Sequence, residues 1–380
     1  MVTISASSFR IDFPPYPCYT VTKGGMPVLR SSVLIGMSGG VDSSVAALLL
    51  QQSGYDCIGC TMRLYCVPGS ADSVRDAEAV AGKMNIPFHV FDFQKEFHEQ
   101  VIGDFIRCYE SGQTPNPCIR CNRHLKFGVM LDKALELGCT HIATGHYAQI
   151  RQNPDSGRYL LWKAADRSKD QTYFLYNLTQ HQLRHTLFPL GKLTKEEARI
   201  LAEQSGFLNA RKRDSQDICF VPDGDYVRFM EDYTGKTYPQ GTYLDLSGKA
   251  VGTHQGAVCY TLGQRKGLGI ALGAPVYVCA KDMKNNTVTV GPNEALFHNA
   301  LRAGDMNWIS VSALTHPLQV TAKIRHSQHE QSATVYPEEN GLVRVVFDAA
   351  QRAITPGQAV VFYDGDMVVG GGTIREAFTI

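Results

Sequence analysis

Between a short apolar segment and a helical pattern, the sequence reads Gly36-Met37-Ser38-Gly39-Gly40-Val41-Asp42-Ser43. The apolar segment, Val33 to Gly36, predicts a buried strand, and the periodicity after the turn predicts a helix that ends near Gly54. Asp42 or Ser43 is the expected cap of this helix. Glycines let the backbone approach phosphate oxygens, and the unpaired N–H groups and dipole at a helix start attract anions. The turn therefore predicts a phosphate-binding site.

Strand and helix patterns continue to alternate beyond this turn. The expected order is strand Cys57 to Tyr65, helix Ser73 to Met84, strand Phe88 to Phe93, helix Leu125 to Leu137 and strand His141 to Ala143. Such alternation predicts an α/β fold with a doubly wound parallel sheet, in which ligands sit at the carboxyl ends of the strands. A further helix from Thr194 to Ser205 is expected, because Thr194 and Glu197 have the spacing of a capping box.

Beyond about residue 222 the pattern changes to short alternating strands without long helical periods. Turn signals recur at Gly241, Ser247-Gly248, Asn285-Asn286, Asn340-Gly341 and Asp364-Gly365. The C-terminal part is therefore expected to form a small antiparallel β-barrel, preceded by a central domain of mixed structure. The expected divisions are an N-terminal arm at 1–30, a catalytic domain at 31–222, the central domain at 223–296 and the barrel at 297–380.

Composition excludes some classes of protein and leaves others open. The 380 residues carry a formal charge of +1, so any nucleic-acid surface must be a local patch. The longest apolar run, Val45 to Leu50, is far short of the roughly 20 residues that cross a bilayer, and no membrane partner is expected. Eleven scattered cysteines are typical of a reducing cytoplasm rather than a secreted disulfide framework.

Prolines and glycines break every periodic pattern in the first 30 residues. We expect an extended arm there. The alternatives are a disordered tail, an upstream start codon with Met26 as the true start, or an organelle transit peptide, for which the sequence signal is weak.

The glycine turn is open to several interpretations. A Walker A loop is excluded, because no Lys-Ser/Thr pair closes the turn. Gly36-x-Ser38-x-Gly40 formally matches a nucleophile elbow, which would make the chain an α/β-hydrolase with Ser38 as nucleophile, and a purely structural turn is also possible. Ser-Gly-Gly-Val-Asp-Ser after an apolar strand resembles the PP-loop of ATP pyrophosphatases, whose fold is adenine nucleotide alpha hydrolase-like.

Two cysteine segments narrow this resemblance to one branch. They read Thr114-Pro115-Asn116-Pro117-Cys118-Ile119-Arg120-Cys121-Asn122-Arg123 and Asp214-Ser215-Gln216-Asp217-Ile218-Cys219-Phe220. Both are similar to segments of the bacterial tRNA-specific 2-thiouridylase family. Further matches are Ala143-Thr144-Gly145-His146-Tyr147, Lys169-Asp170-Gln171, Tyr260-Thr261-x-Gly263-Gln264-Arg265 and Thr355-Pro356-Gly357-Gln358. The resemblance extends from about residue 32 to the C-terminus.

The resemblance implies a tRNA-uridine 2-sulfurtransferase that converts ATP to AMP and pyrophosphate. ATP with Mg²⁺ would adenylate the C2 oxygen of the wobble uridine, and a cysteine persulfide would supply the sulfur. By resemblance Cys219 carries the persulfide, and Cys121 is the nucleophile that can form an alternate Cys121–Cys219 disulfide. A persulfide sulfur donor or relay protein is an expected partner. Basic neighbours such as Arg120 and Lys126 are expected to favour the Cys121 thiolate, unless they only line a solvated helix face.

The resemblance also assigns binding residues. The ATP site is expected at Gly36, Met37, Ser38, Gly39, Gly40, Val41, Asp42, Ser43, Met62 and Gly145. The tRNA contacts are expected at Asn116, Pro117, Cys118, His146, Lys169, Asp170, Gln171, Arg325, His326 and Gln358. The central domain is expected to bind tRNA. Basic clusters at Arg211-Lys212-Arg213, Arg265-Lys266 and Lys323-x-Arg325 could contact phosphates, although each alone is a common surface feature.

Cys118 departs from the commonest family pattern, which has Asp at this position. Cys118, Cys121 and Cys219 are therefore possible ligands of a 4Fe–4S cluster, or of zinc with a fourth ligand, although no metal site is certain. Cys57 and Cys60 have the same spacing but lie in an apolar strand, so we expect core residues. The remaining cysteines, Cys66, Cys108, Cys139, Cys259 and Cys279, are expected to be buried small hydrophobes.

Two rival functions stay open at this point. One is another PP-loop ligase or amidotransferase that acts on a small amide substrate, because the glycine turn alone does not name a substrate. The other is a non-catalytic RNA-binding protein that has kept the loop.

Overall fold

A computed structural model describes residues 31–65, 70–207, 209–210 and 218–380. The predicted arm, Cys66 and the cluster Arg211-Lys212-Arg213 lie outside these residues. The described residues form two compact units. The first contains residues 31–98, 119–210 and Asp366–Val368, and the second contains Glu99–Cys118, 218–365 and Val369–Ile380.

Strands and helices alternate up to residue 210. In chain order they are β1 Ser32–Gly36, α1 Val41–Gln52, β2 Asp56–Arg63, α2 Ser70–Lys83, β3 Phe88–Asp92, α3 Gln94–Phe97, α4 Gly103–Glu110, α5 Pro117–Cys121, α6 Met130–Glu136, β4 His141–Ala143, β5 Gln149–Gln152, β6 Tyr159–Trp162, α7 Thr172–Leu175, α8 Gln180–Arg184, β7 Thr186–Leu187 and α9 Lys195–Gln204.

Strands dominate from residue 218 to the C-terminus. The elements are α10 Tyr226–Thr234, β8 Gly241–Leu244, β9 Ala250–His254, β10 Tyr277–Asp282, β11 Thr287–Gly291, β12 Phe297–Trp308, β13 Leu318–Lys323, β14 Gln331–Pro337, β15 Val343–Arg352, β16 Ala359–Asp364 and β17 Met367–Phe378. Short 3-10 turns cover Ala257–Cys259, Asn293–Leu296 and Glu339–Gly341.

The first unit is built on a five-stranded sheet with the order β3-β2-β1-β4-β7. Every neighbouring pair is parallel. This confirms the predicted doubly wound α/β fold. Val33, Leu34 and Ile35 of the central strand β1 are fully buried, because helices cover both faces of a parallel sheet. Strand order reverses between β1 and β4, so their carboxyl ends form the crevice where such sheets bind ligands.

Two helical stretches contain wide π-turns. One covers His98–Ile102, between α3 and α4, and the other covers Asn122–Val129, between α5 and α6. The helix predicted from Leu125 to Leu137 is therefore the later part of a longer helical stretch that begins at Pro117. π-turns often occur at functional sites, and this one starts directly after Cys121.

The second unit contains a four-stranded sheet, ordered β10-β11-β8-β9, and the predicted C-terminal barrel. The barrel strands follow the order β12-β15-β14-β13-β16-β17, and β12 closes the barrel by pairing with β17. Val335, Val345, Val360 and Phe362 are among its fully buried core residues. Asn286 and Asn340 have the positive φ angles, 49° and 56°, that asparagine tolerates in tight turns.

Two local predictions were wrong. Neither Asp42 nor Ser43 caps α1, because the extended residue at its start is Gly40, and Asp42 lies in the first turn. The short helix α10 agrees with the mixed structure predicted after residue 222, and its aromatic side chains pack in the second unit. Cys57, Cys60 and Cys139 are buried as expected, but Cys108, Cys259 and Cys279 are only half-buried.

Candidate functional site

The glycine loop leaves the carboxyl end of β1 and is held by hydrogen bonds to its own first helical turn. The Met37 amide donates to the Cys60 carbonyl at 2.7 Å, which fixes the start of the loop against β2. The Ser38 amide donates to Ser43 Oγ at 3.2 Å, and Ser43 Oγ donates to the Gly40 carbonyl at 3.2 Å. Met37 itself is 2% exposed in the sheet core, so only its backbone is available to a nucleotide.

Two glycines are needed where the backbone is crowded. A Cβ on Gly39, whose φ is +69°, would lie 2.4 Å from the Ser73 carbonyl oxygen. A Cβ on Gly145 would lie 2.7 Å from the carbonyl carbon of Asp42 and from the amide nitrogen of Ser43. Gly145 follows β4, so the two predicted halves of the ATP site meet at the crevice between β1 and β4. The resulting cradle fits a phosphate group.

Asp42 is the charged centre of this loop, and two residues that sequence reasoning missed hold its carboxylate. Lys195 Nζ lies 2.8 Å from both carboxylate oxygens, and the Tyr147 hydroxyl donates to Oδ1 at 2.9 Å. The Lys195 side chain is 11% exposed and that of Asp42 is 31% exposed. Lys195 is the first residue of α9. The sequence around it signals only the start of a helix and gives no sign of a site residue.

Of the two predicted tRNA residues Asp170 and Gln171, Gln171 contacts the same network. Gln171 Oε1 accepts from the Tyr147 amide at 2.9 Å, and the Gln171 amide donates to the Tyr147 carbonyl at 3.0 Å. Asp170 accepts from the Ala164 amide and from Thr172 Oγ1, at 2.9 and 2.5 Å. Gln171 therefore fixes Tyr147, which in turn orients Asp42.

Asn209 is a second residue that sequence reasoning missed. Its Nδ2 donates to the Gly39 carbonyl at 3.1 Å and to Ser44 Oγ at 3.0 Å. The side chain is buried, and its Oδ1 has no hydrogen-bond partner among the described residues. No motif surrounds Asn209 in the sequence, since its role depends on contacts 170 positions away.

The remaining predicted binding residues occupy several parts of the chain. Met62 is half-buried near the carboxyl end of β2, and Lys169 donates its amide to Asp166. Arg325 donates to the Ala353 carbonyl, while His326 is exposed. The contact of Met62 with ATP stays a prediction. So do the contacts of Lys169, Arg325 and His326 with tRNA.

His146 is buried next to the crevice. Its Nδ1 lies 2.7 Å from Thr144 Oγ1, and its ring contacts Phe127 and Phe188 at centroid distances of 5.6 and 6.0 Å. Burial, reinforced by the nearby Lys126 charge, holds the pKa of His146 well below its ordinary value. A neutral, enclosed imidazole suits a wall of the site better than a phosphate contact.

The reactive cysteine candidates differ in exposure. Cys118 and Cys121 lie on α5, where Cys118 is exposed and Cys121 is 8% exposed. Asn122 Nδ2 donates to the Phe174 carbonyl at 3.0 Å, which ties the end of this helix to α7. Cys219, in the second unit, is exposed beside Phe220. The Phe220 ring packs against Phe105 and Phe229, at centroid distances of 5.2 and 5.1 Å.

Core thiols provide a contrast to these candidates. Burial is the main cause that raises the pKa of Cys57 and of Cys60 to about 12. Thiols in that state are protonated and unreactive at neutral pH. The prediction that Cys57 and Cys60 are core residues is therefore confirmed.

The described residues contain neither a group of metal ligands nor a helix that could span a membrane. Within residues 31–65, 70–207, 209–210 and 218–380, no three His, Cys, Asp or Glu side chains are grouped so that they could hold a metal ion. None of the helices in the same ranges has the length and apolar character that crossing a bilayer requires.

Three domain families match successive parts of the chain. Residues 31–223 match the tRNA methyl transferase HUP domain, and residues 227–292 match the tRNA methyl transferase PRC-barrel domain. Residues 298–374 match the aminomethyltransferase beta-barrel domain.

Curated relatives match almost over their whole length. The tRNA-specific 2-thiouridylase MnmA of Acetivibrio thermocellus is 51% identical over 91% of this chain and 99% of its own length. The MnmA protein of Clostridioides difficile is 49% identical over 92% of this chain and 99% of its own length. The U34-tRNA thiolase NcsA from Methanococcus maripaludis, solved with its 4Fe–4S cluster, covers 55% of this chain and 69% of its own at 17% identity. Its TM-score of 0.35 is too low to carry over its cluster. The two MnmA matches place this chain in the tRNA-specific 2-thiouridylase MnmA family.

Proposed function

We propose that this chain forms 2-thiouridine at the wobble position of tRNA, in an ATP-dependent reaction that uses a Cys219 persulfide. ATP-dependent 2-thiouridine formation in tRNA is the activity of its family. The main support for nucleotide binding is the backbone cradle formed by Gly39, Gly145 and the start of α1. This cradle fits a phosphate group and lies where the strand order of the sheet reverses.

The first step makes the uracil oxygen a leaving group. The C2 oxygen attacks the α-phosphorus of ATP, the bond to the β-phosphate oxygen breaks, and pyrophosphate departs into the glycine loop. Mg²⁺ accompanying the nucleotide would neutralise phosphate charge, and Asp42 is the one carboxylate within the loop that could hold it. Lys195 and Tyr147 keep that carboxylate in one orientation.

The second step delivers sulfur. The terminal persulfide sulfur on Cys219 attacks C2 and AMP leaves, after which the Cys121 thiolate attacks Cys219 Sγ and releases thiouridine. Alternatively, Cys121 attacks first and releases hydrosulfide, which then displaces AMP. Both routes end with a Cys121–Cys219 disulfide, so a two-electron thiol reductant must reset the pair. We place the reaction in the cytoplasm, where such reductants are abundant, with a persulfide donor or relay protein reloading Cys219.

A cluster held by Cys118, Cys121 and Cys219 is the less favoured route. The persulfide route needs only the two thiols and a reductant.

Mass spectrometry of nucleosides is the test of this function. Purified chain, tRNA, ATP and a persulfide donor should yield 2-thiouridine together with AMP and pyrophosphate. AMP formation that needs no RNA would indicate a PP-loop enzyme for a small amide substrate. No turnover alongside tight tRNA binding would indicate a non-catalytic RNA-binding protein.

We expect Asn209→Ala to raise the KM for ATP by about tenfold, which corresponds to roughly 1.4 kcal/mol. The substitution removes two hydrogen bonds that hold the loop at Gly39 and Ser44, and net values of about 1 kcal/mol per bond are typical. AMP formation measured against ATP concentration gives the value. Asn153→Ala, in the β5–β6 turn, is the control. An unchanged KM in both variants would show that Asn209 does not support the nucleotide loop.

We expect tRNA binding to weaken steeply with salt despite the net charge of +1. Local cations such as Lys323 and Arg325 would release counterions from phosphates, and six to ten contacts correspond to about 10³–10⁵ in affinity between 50 and 200 mM salt. Filter-binding or fluorescence titrations at several salt concentrations measure the slope. A flat response would contradict a phosphate-binding surface.

A further inference from the structure

A turn of the C-terminal barrel, residues 355–358, is hydrogen-bonded to the segment that precedes α5, residues 113–116. Both belong to the second unit. The Thr114 amide donates to the Pro356 carbonyl at 2.9 Å. Gln358 Nε2 donates to the Thr114 carbonyl at 2.9 Å and to the Pro115 carbonyl at 3.1 Å. The three bonds join this turn to consecutive residues of the segment, immediately before the predicted tRNA contacts begin at Asn116.

Gly357 allows this close approach. Its φ is +90°, and an added Cβ would lie 2.9 Å from Gln113 Cβ and from both the amide nitrogen and carbonyl oxygen of Thr114. A side chain at this position would therefore displace the segment as well as strain the turn.

The barrel holds the turn rigidly. The Gly357 amide donates to the Ile374 carbonyl at 2.9 Å, and the Ile374 amide donates to the Gln358 carbonyl at 2.8 Å. The Gln358 amide donates to the Thr355 carbonyl at 3.2 Å. Because Ile374 is a fully buried residue of β17, the position of the Gln358 side chain is set by the barrel core.

The hydrogen-bonding capacity of Gln358 limits what it can do for RNA. A side-chain amide has two donor hydrogens and one carbonyl oxygen. Both donors are directed at backbone carbonyls of the segment, which leaves Oε1 to accept from a ligand. A donor contact from this side chain to RNA would require breaking its bonds to Thr114 or Pro115.

We infer that Gln358 is a positioning residue, which holds the segment so that Asn116–Cys118 is in place before RNA binds. The inference rests on the proposed function and on the tRNA contacts that the family resemblance predicts at Asn116, Pro117 and Cys118. Preorganisation of this kind acts on the reaction rate of bound substrate, since misplacement by about 1 Å can reduce a rate 10²-fold. Affinity for tRNA depends mainly on phosphate contacts elsewhere.

Two substitutions at Gln358 separate positioning from RNA contact. Gln358→Met removes donors and acceptor at similar length, while Gln358→Glu keeps an acceptor but sets a carboxylate against two carbonyls. Both variants should lower kcat at saturating tRNA by about 10- to 100-fold. We expect the Kd for tRNA to stay within a few-fold of the wild-type value. Gln319→Glu, at an exposed position on β13, is the matched control for added charge.

Gly357→Ala tests the same contact between the turn and the segment without changing the side chain of Gln358. Its matched control is Gly365→Ala, because Gly365 also has a positive φ, 56°, but no heavy atom within 4 Å of an added Cβ. Gly357→Ala should lower kcat as the Gln358 variants do, whereas Gly365→Ala should cost stability alone. If a Gln358 variant fails to fold, the glycine pair still decides the question.

Hydrogen exchange of the free protein gives a readout that needs neither tRNA nor turnover. The Thr114 amide should exchange faster in Gln358→Met and Gln358→Glu than in wild type or Gln319→Glu, with barrel strands unchanged. Unaltered exchange and kcat, together with a raised Kd for tRNA, would show that Gln358 is only an RNA contact and would overturn the inference. Because exchange is measured without RNA, its outcome is independent of whether the wild-type chain makes thiouridine.

Discussion

Asp42→Ala should form AMP at a rate reduced by about 10²–10³-fold or more, the typical loss when one electrostatic group is removed from a preorganised site. The carboxylate lies in the first turn of α1, beside the backbone that Gly145 approaches. Its loss would remove the only acidic group of the loop and release Lys195 and Tyr147 from their present positions. Rapid-quench measurement of AMP with saturating tRNA gives the rate, and tRNA affinity should change little.

A second effect of this substitution is structural and has to be separated from the first. Lys195 is 11% exposed, so removing Asp42 takes away the carboxylate that this largely buried ammonium group contacts at 2.8 Å. Breaking a fully buried ion pair typically lowers the free energy of unfolding by about 3–5 kcal/mol. Because Asp42 is partly exposed, we expect a loss of about 3 kcal/mol or less here. Thermal unfolding of Asp42→Ala should therefore show a measurable loss of stability.

The double variant Asp42→Ala/Lys195→Met distinguishes the two effects. Removing both charges should recover most of the lost stability, because no ammonium group remains buried there. AMP formation should stay at the low rate of Asp42→Ala if Asp42 acts on the nucleotide. Recovery of AMP formation in the double variant would show that Asp42 serves only to neutralise Lys195, and would refute its place in the ATP site.

The Asp42 network shows where sequence reasoning ends. The parallel sheet was predictable because apolar periods of strands and helices are local, and the barrel because Asn and Gly mark its turns. The pairing of Asp42 with Lys195 joins residues 153 positions apart, so no local pattern reveals it. Asn209 was missed for the same reason, since its two bonds cross 165 and 170 positions.

The errors also have physical causes. A cap was predicted at Asp42 or Ser43 from residue type, but the extended glycine before them ends the loop, so the helix starts earlier. Cysteine burial was predicted from average behaviour, whereas Cys108, Cys259 and Cys279 are half-buried. The π-turn after Cys121 has no residue signature at all, because it depends on how the helix packs.

Cys121→Ala and Cys219→Ala should each abolish 2-thiouridine formation while leaving tRNA-dependent AMP formation in place. In the proposed mechanism, adenylation uses the glycine loop, whereas both thiols are needed to release sulfur and close the disulfide. Quantifying thiouridine and AMP in the same reaction separates the two steps. Cys279→Ser is the control, because Cys279 is half-buried and burial raises the pKa of its thiol. Thiouridine made at the normal rate by either alanine variant would contradict the two-thiol scheme.

Cys118 then decides between the persulfide and the cluster, since it is the third thiol that a cluster would need. Cys118 is exposed on α5, and Cys118→Asp removes a soft ligand while leaving Cys121 and Cys219 untouched. With persulfide chemistry, this variant should keep substantial activity, and iron-free wild-type enzyme should make thiouridine at full rate from a persulfide donor under anaerobic conditions. With a cluster, anaerobic protein would contain about four irons per chain and lose activity on chelation. Strict dependence on iron would therefore exclude the two-thiol scheme, because neither Cys121 nor the Cys219 persulfide requires a metal to exchange sulfur.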